Sequence, residues 1–232
     1  MSRVFAAVFL LLAAGPASAQ TGFPFQDESL HYSVNWPSGL SLGDATFSAH
    51  KTASGWSLNA SLDAGVPGFS ISDKFVSSVN GADLCSVEFE RSTSHGSKKT
   101  REKTTFDQHA GKAHRATLLP ADGGTTDFDI PACARDALAF VYFARREMGQ
   151  GRVAPAQKVF FGSAYTVSMQ YTGAMNITVG EKPAVTDHVL ASVKGPKADF
   201  SFEIFFARDA ARTPLLLKIP LSVGALSVEL VR

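Results

Sequence analysis

The residues of this chain most suited to nucleophilic chemistry surround a serine between two glycines. The letters G-L-S-L-G at 39–43 match the G-x-S-x-G pattern of serine hydrolases. That chemistry requires a sharp turn from a strand into a helix, whereas the residues after Gly43 have the pattern of a strand. We therefore interpret this pattern as a hairpin turn, with Ser41 outside any catalytic role.

The six histidines form no recognisable catalytic or ligand pattern, and none has the H-E-x-x-H spacing of zinc sites. Asp107, His109 and His114 could converge across a turn, but a solvated turn explains them more simply. Asp187 and His188 are neighbours, and adjacent residues of a strand point to opposite faces. We therefore do not expect them to act as a catalytic dyad.

Two charged segments could bind ligands. Residues 122–129 combine acids with two glycines, but their spacing does not fit the twelve-residue calcium loop, so we interpret them as an ordinary connection. Residues 98–103 are basic. Glu88, Glu90 and Glu102 are close in sequence, which favours charge pairs between neighbouring strands over a nucleic-acid site. The sequence therefore predicts no catalytic residue, no metal and no cofactor.

The first nineteen residues have the pattern of a secretory signal peptide. Arg3 supplies a positive start, residues 4–14 are apolar, and Ala17 and Ala19 are the small residues that precede cleavage. The apolar run is shorter than the about 20 residues that cross a bilayer, and no later run is long enough. We expect cleavage after Ala19, an exported chain in the periplasm, and no membrane-spanning segment.

Cys85 and Cys133 are the two cysteines of the chain. In an oxidising compartment they should form one disulfide, closing a loop of about 48 residues and contributing about 4 kcal/mol. The alternative is a pair of inert buried thiols. We do not expect a redox-active pair, because such pairs usually have C-x-x-C spacing.

The charge balance argues against two classes of partner. The chain has 22 Lys and Arg and 21 Asp and Glu, and Arg3 is the leader's one charged residue, so the mature chain is neutral. Proteins that bind nucleic acid or anionic membranes by charge normally carry a basic excess. We therefore expect no nucleic-acid partner.

Apolar and polar residues alternate with a period of two from residue 29 onward, as in Leu30, Tyr32 and Val34, which predicts strands with one buried face. The eighteen phenylalanines also suit a large sheet. We expect a single β-rich domain over residues 20–232, built as an antiparallel meander. The further strands are predicted at 43–51, 55–64, 69–79, 84–93, 99–107, 111–119, 157–162, 164–172, 175–181, 185–194, 199–207, 214–221 and 223–231.

Residues 135–148 break this alternation and predict one helix. Every residue from 137 to 144 is apolar or aromatic, so the helix must be covered on most sides, and a sheet curled into an open or closed barrel would cover it. Asp136 and Arg145 lie on opposite sides of the helix and need separate partners. The helix either fills the lumen or forms one wall of a cavity, and we favour the filled lumen.

Several motifs occur in the order found in a known family. They are L-H-Y-S-V-N-W at 30–36 with G-D-A-T-F at 43–47, C-x5-R-S-T at 85–93 leading to F-D at 106–107, D-A-L-A-F-V-Y-F-A-R at 136–145, and D-A-A-R-T-P at 209–214 followed by Gly224. In these motifs the chain resembles the bacterial exported family called domain of unknown function 3108. The resemblance implies an envelope protein of Gram-negative-type bacteria with a mostly β, barrel-like fold, and it brings no catalytic residues.

Our functional hypothesis is a non-enzymatic periplasmic protein that binds a lipid or another apolar or amphipathic envelope component, or that assists envelope assembly. The candidate ligand-binding residues are Phe140, Tyr142, Arg145 and Arg91. One alternative is a hydrolase of cell-wall or lipid material, which needs a base and a nucleophile within about 3 Å. Another is a structural adaptor with a protein partner, which would expose an apolar patch.

Overall fold

The computed structural model describes residues 27–81, 83–222 and 224–231, and within them it contains fifteen strands and one helix. The predicted leader, residues 1–19, lies outside the described residues. The strands are β1 (Glu28–Asn35), β2 (Ser41–Lys51), β3 (Gly55–Val66), β4 (Phe69–Asn80), β5 (Ser86–His95), β6 (Lys98–Asp107), β7 (Lys112–Leu119), β8 (Thr125–Asp129), β9 (Arg135–Asp136), β10 (Gln157–Phe160), β11 (Ala164–Val179), β12 (Lys182–Gly195), β13 (Ala198–Ala207), β14 (Pro214–Leu221) and β15 (Gly224–Leu230). The helix α1 is Ala137–Gly149.

All the strands belong to one sheet with the order β8-β7-β6-β5-β4-β3-β2-β1-β15-β14-β13-β12-β11-β10-β9. Neighbouring strands are antiparallel, except that β9 and β10 are parallel. The terminal strands β8 and β9 do not pair with each other, so the sheet is open. The prediction of a mainly β meander around one apolar helix is confirmed, and of its two alternatives the open one is correct.

The two ends of the curled sheet approach each other at a seam of aromatic side chains. Phe160 of β10 packs on Phe106 of β6 and Phe128 of β8, with ring centroids 5.9 and 5.5 Å apart. The main core cluster contains residues of β2 to β7, of β10 and β11, and of α1. Side-chain packing therefore joins strands at this seam that backbone hydrogen bonds do not join.

A disulfide lies beside the seam. Cys85 is bonded to Cys133, and their Cα atoms are 4.7 Å apart, which confirms the predicted pairing. Directly after Cys85, the Ser86 N–H donates to the Ala134 carbonyl at 2.9 Å. The covalent bond and this hydrogen bond together hold the start of β5 against the chain that leads into α1.

The helix begins two residues later than predicted. Arg135 and Asp136 form β9, and Asp136 is the N-cap, whose carboxylate accepts from the N–H groups of Leu138 and Ala139. The sequence prediction was wrong here because helix-compatible residues can also form a short strand when a neighbouring strand, here β10, supplies hydrogen-bond partners.

Two further corrections concern strands. Residues 125–129, interpreted as part of a loop, form β8 because they pair with β7, where Asp127 and Asp129 form ion pairs with His114 and Lys112. The segments predicted at 164–172 and 175–181 are one strand, β11. A β-bulge between Tyr171 and Gly173 interrupts its pairing without ending it.

The direction of the strands assigns every turn to one of two ends of the curled sheet. The hairpin end is formed by the turns that join β1 to β2, β3 to β4, β5 to β6, β7 to β8, β10 to β11, β12 to β13 and β14 to β15. The helix crosses the other end. Its start contacts Ser77 and Ser86 of β4 and β5, while Arg145 contacts Glu28 at the first residue of β1 and Ala211 between β13 and β14. Helix α1 therefore closes the end opposite to the hairpin end.

Candidate apolar binding cavity

A cavity of about 200 Å³ lies between α1 and the concave face of the sheet. Its walls are aliphatic and aromatic side chains apart from Arg145 and the two tyrosine hydroxyls. The lining residues are Leu30, Tyr32, Phe47, Ala137, Phe140, Val141, Tyr142, Ala144, Arg145, Val159, Val167, Met169, Ala191, Val193, Phe202, Ile204, Phe206, Pro214 and Leu217. An engineered apolar cavity of about 150 Å³ stays dry and binds benzene, so this space is large enough for a small apolar group.

One face of α1 forms a wall of the cavity. Ala137, Phe140, Val141 and Ala144 follow a spacing of three and four residues, which places them on one side of a helix. Phe140 and Ala144 also belong, with Leu138, to the core cluster packed against the sheet. Helix α1 therefore fills part of the lumen, as we favoured, and also forms one wall of the cavity that remains beside it.

The opposite wall comes from alternate residues of neighbouring strands. Val167 of β11 pairs with Val193 of β12, Met169 pairs with Ala191, and Ala191 pairs in turn with Phe202 of β13. Side chains two residues apart on a strand share a face, so this register builds a continuous apolar surface. Met169, Val193 and Phe202 are only half-buried, so other side chains do not fully cover this part of the wall.

A buried ion pair occupies the helix end of the cavity. The side chain of Arg145 is 1% exposed, and its Nη1 and Nη2 lie 2.5 and 2.9 Å from the two carboxylate oxygens of Glu28. Its Nε donates to the Ala211 carbonyl at 3.0 Å. Burial acts against the charged guanidinium, but the hydrogen bonds and charge of Glu28 outweigh burial and raise the pKa of Arg145.

Two tyrosines beside this pair stay neutral. The Tyr32 hydroxyl donates to the Pro214 carbonyl at 2.9 Å, and the Arg145 guanidinium lies 5.0 Å from the ring centroid of Tyr142. Burial raises the pKa of both tyrosines, and the negative charge of Glu28 raises them further. The polar groups of the cavity therefore carry no net charge, since the single cation is matched by a single carboxylate.

Three of the four residues predicted to bind a ligand lie at this cavity, namely Phe140, Tyr142 and Arg145. Arg91 does not. Its Nη2 lies 2.6 Å from the Glu102 carboxylate, and its guanidinium lies 5.0 Å from the ring centroid of Phe161, near the seam. Arg91 therefore packs near the seam, where the two ends of the sheet meet.

The sequence analysis did not find Glu28 as the partner of Arg145. A signal for it was present, because Glu28, Leu30 and Tyr32 are two residues apart and therefore share a face of β1. A carboxylate on the inward face of a strand, together with an arginine in an apolar helix, indicates that the two charges meet inside the fold.

The serine and histidine motifs do not assemble a catalytic site. Ser41 is the first residue of β2 and a strand follows it, which confirms the turn interpretation of the G-x-S-x-G letters. Asp107 accepts from the N–H groups of His109 and Ala110, whereas His114 pairs with Asp127. The three residues that could have converged across this turn therefore have separate roles.

Asp187 and His188 also have separate partners. Asp187 forms ion pairs with Arg208 and Arg212, while His188 lies 2.7 Å from the Glu203 carboxylate. Within the described chain, the residues that line the cavity include no serine, cysteine or histidine, and the Glu28 carboxylate at its helix end is paired with Arg145.

Two of the four basic residues at 98–103 are paired with glutamates of the neighbouring strand, as expected. Arg101 forms an ion pair with Glu90, and Lys103 forms one with Glu88, at 2.7 and 2.8 Å. In the part of the chain that the structure describes, no group of three His, Cys, Asp or Glu side chains is placed to hold a metal ion.

Comparison with known proteins identifies the family. The family described as "Protein of unknown function (DUF3108)" matches residues 31–231. This chain belongs to that family. The match begins within β1 and continues through β15, so it includes α1 and all the strands except the first three residues of β1.

The fold has a counterpart among solved structures. It is similar to a crystal structure described as a beta-barrel-like protein of domain of unknown function DUF1849 from Brucella abortus, with a TM-score of 0.62 and 11% sequence identity. The similarity covers 88% of this chain and 95% of the Brucella abortus chain. At this identity the likeness shows the fold alone. No curated protein matches the chain.

The described residues contain a single helix, and neither its length nor its hydropathy is sufficient to cross a membrane. The apolar residues of this family member are instead concentrated on the concave face of the sheet and on α1.

Proposed function

We propose that this protein binds an apolar or amphipathic component of the cell envelope in the cavity between α1 and the sheet, and that it does so without catalysis. The observation that supports this proposal is the cavity itself, whose walls are apolar and whose one cation, Arg145, is paired with Glu28. Apolar cavities of this kind stabilise a ligand by removing its hydrocarbon surface from water, at about 25 cal/mol per Å².

The ion pair supports a particular orientation of the ligand. Arg145 is engaged by Glu28 and by the Ala211 carbonyl, so it does not need an anionic ligand group to compensate its charge. A hydrocarbon chain would therefore point toward α1. The polar part of an amphipathic ligand would lie toward the hairpin end, where it keeps its contact with water.

The expected cellular setting is the periplasm. The leader pattern at residues 1–19 supports export, and the disulfide is typical of proteins that fold in an oxidising compartment. Apolar envelope components are poorly soluble in the aqueous space between membranes, so they require a binding protein to cross it.

A variant that fills the cavity tests this proposal. Ala191 is 2% exposed and lies in the cavity wall, so Ala191→Phe places a ring in the space that a ligand would occupy. We expect at least about tenfold weaker binding of a fluorescent fatty acid, which corresponds to about 1.4 kcal/mol. Fluorescence titration of the folded protein measures this.

The matched control is Val185→Phe, which adds the same ring type on the same strand at a position that is 53% exposed. This variant should bind the fatty acid like the unaltered protein. Equal affinity for all three proteins would show that the ligand does not occupy the cavity. If Ala191→Phe is instead destabilised by the about 1–3 kcal/mol typical of overpacking, the space is too small for a ligand group.

A further inference from the structure

Large apolar side chains are exposed on a series of neighbouring turns at the hairpin end. Trp36 and Leu40 flank the turn between β1 and β2 and are 39% and 61% exposed, and Val66 and Phe69 flank the next turn at 50% and 48%. Leu221, at the turn between β14 and β15, is 37% exposed. We call these five residues the apolar tips.

The turns that carry the apolar tips belong to hairpins that are adjacent in the sheet, and contacts join these turns in two groups. Pro37 lies beside Gly224 of the turn between β14 and β15, and the ring of Phe69 lies beside Gly96 of the turn between β5 and β6. The Gly96 N–H also donates to the Ser70 carbonyl at 2.8 Å. Large apolar side chains that are exposed on adjacent hairpins at one end of a fold indicate an interaction site, whereas most proteins expose such side chains singly.

An apolar path connects the same end of the fold with the cavity. Phe202 lines the cavity, and Phe200 lies two residues closer to the turn between β12 and β13 on the same face of β13. Their ring centroids are 5.9 Å apart, and Phe200 is 44% exposed. Because α1 closes the opposite end, this wall leads from the cavity to the surface at the hairpin end.

We propose that the hairpin end docks on the surface of a lipid bilayer and inserts the apolar tips into it, so that ligand passes between the bilayer and the cavity along the wall of β13. The exchange route rests on the function proposed above. The docking itself depends only on the exposed tips.

The shape of the surface favours a bilayer over a folded partner. The tips project from separate turns and form a curved row, which fits a deformable layer, whereas a protein partner would have to follow each turn. Tryptophan is enriched at membrane interfaces because its ring is apolar while its N–H can contact water. Insertion is driven here by apolar contact, in agreement with the neutral charge of the mature chain.

Exposed lysines complement the phosphate groups of such a surface. Lys98 and Lys99 follow the turn between β5 and β6, next to Phe69, and Lys197 lies in the turn between β12 and β13. Lysines close to a lipid surface add a modest attraction to anionic headgroups. Docking should therefore be detectable on zwitterionic lipid and become stronger when anionic lipid is added.

Vesicle flotation tests the docking. The probes are vesicles of phosphatidylcholine alone and of phosphatidylcholine mixed with phosphatidylglycerol. The test variant combines Trp36→Ser, Leu40→Ser and Phe69→Ser, and we expect it to bind both vesicle types at least about tenfold more weakly. The control variant combines Val87→Ser, Met175→Ser and Val185→Ser, which are 52%, 44% and 53% exposed and lie away from the hairpin end. The control should float like the unaltered protein.

Unchanged flotation of the test variant, or no flotation of the unaltered protein, would overturn the docking proposal. Loss of a dimer in the test variant by sedimentation velocity, without vesicle binding by any protein, would assign the tips to a second copy of the chain. The single variant Leu40→Ser gives the same test with a smaller change if the triple variant does not fold. Ala191→Phe separates the two proposals, since it should float normally while losing the fatty acid.

Discussion

At the scale of single residues, the ion pair with Glu28 compensates the buried positive charge of Arg145 in an otherwise apolar part of the helix. Both side chains are largely removed from water, at 1% and 12% exposure. Removing one partner of such a pair leaves an uncompensated charge in a medium that solvates it poorly, whereas an apolar pair of similar volume avoids that cost.

This predicts that Glu28→Gln lowers the free energy of unfolding by about 3–5 kcal/mol. Combining it with Arg145→Met should recover most of the loss, because the buried charge is then gone as well. Urea unfolding of the two single variants and the double variant measures the coupling. A loss below about 1 kcal/mol for Glu28→Gln would mean that water or another group already compensates Arg145.

The residues at the cavity could be predicted only in part. Phe140, Tyr142 and Arg145 were found because a helix whose residues 137–144 are all apolar or aromatic, with Arg145 directly after them, is unusual in a β-rich chain. The cavity-facing residues of β11 to β14 were not found, since alternation shows that a strand has a buried face without showing which other element that face meets. Arg91 belongs to the C-x5-R-S-T motif, but this motif does not show how far the residue lies from the helix. In the structure Arg91 lies near the seam.

At the scale of elements, Asp136 connects the start of α1 with two strands. Its carboxylate accepts from the N–H groups of Leu138 and Ala139 and from the hydroxyls of Ser77 and Ser86 at 2.6 and 2.5 Å. Burial raises the pKa of Asp136, and these four hydrogen bonds act in the opposite direction. The residue therefore fixes the position of the helix as well as its first turn.

Asp136→Ala should lower the free energy of unfolding by about 3 kcal/mol or more, because the helix loses its N-cap and two buried serine hydroxyls lose their acceptor. Asp136→Asn keeps an acceptor for the helix N–H groups and offers donors to the serine oxygens, so its cost should be about 1 kcal/mol. Thermal unfolding of both variants measures the difference. Equal losses would indicate that the capping acceptor contributes nothing.

The strands were predictable because the period of two persists over most of the chain and glycines mark the turns. Two exceptions have physical reasons. In β9 two residues are too few to show a period, and the segment adopts extended structure through its pairing with β10. In β8 Phe128 is the one large apolar residue among acids and threonines, so pairing with β7 decides its structure and the local sequence does not.

At the scale of the whole molecule, an open sheet encloses a lumen because aromatic packing joins its ends. Phe160 is 4% exposed and contacts rings on β6 and β8. We therefore expect Phe160→Ala to lower the free energy of unfolding by about 3–5 kcal/mol. Phe200→Ala removes the same ring at a site 44% exposed and should cost less than about 1 kcal/mol. Denaturant unfolding compares them, and similar losses for both would contradict the role of the seam.

We propose that the lumen of the curled sheet holds an apolar molecule of the cell envelope. Native mass spectrometry of the protein purified from the envelope tests it most directly, with Ala191→Phe and Val185→Phe prepared in parallel. We predict an added mass on the unaltered protein and on Val185→Phe that organic extraction releases as a lipid or another apolar compound, and no added mass on Ala191→Phe. The bare chain mass in all three preparations, or the same added mass on all three, would show that the cavity holds no ligand.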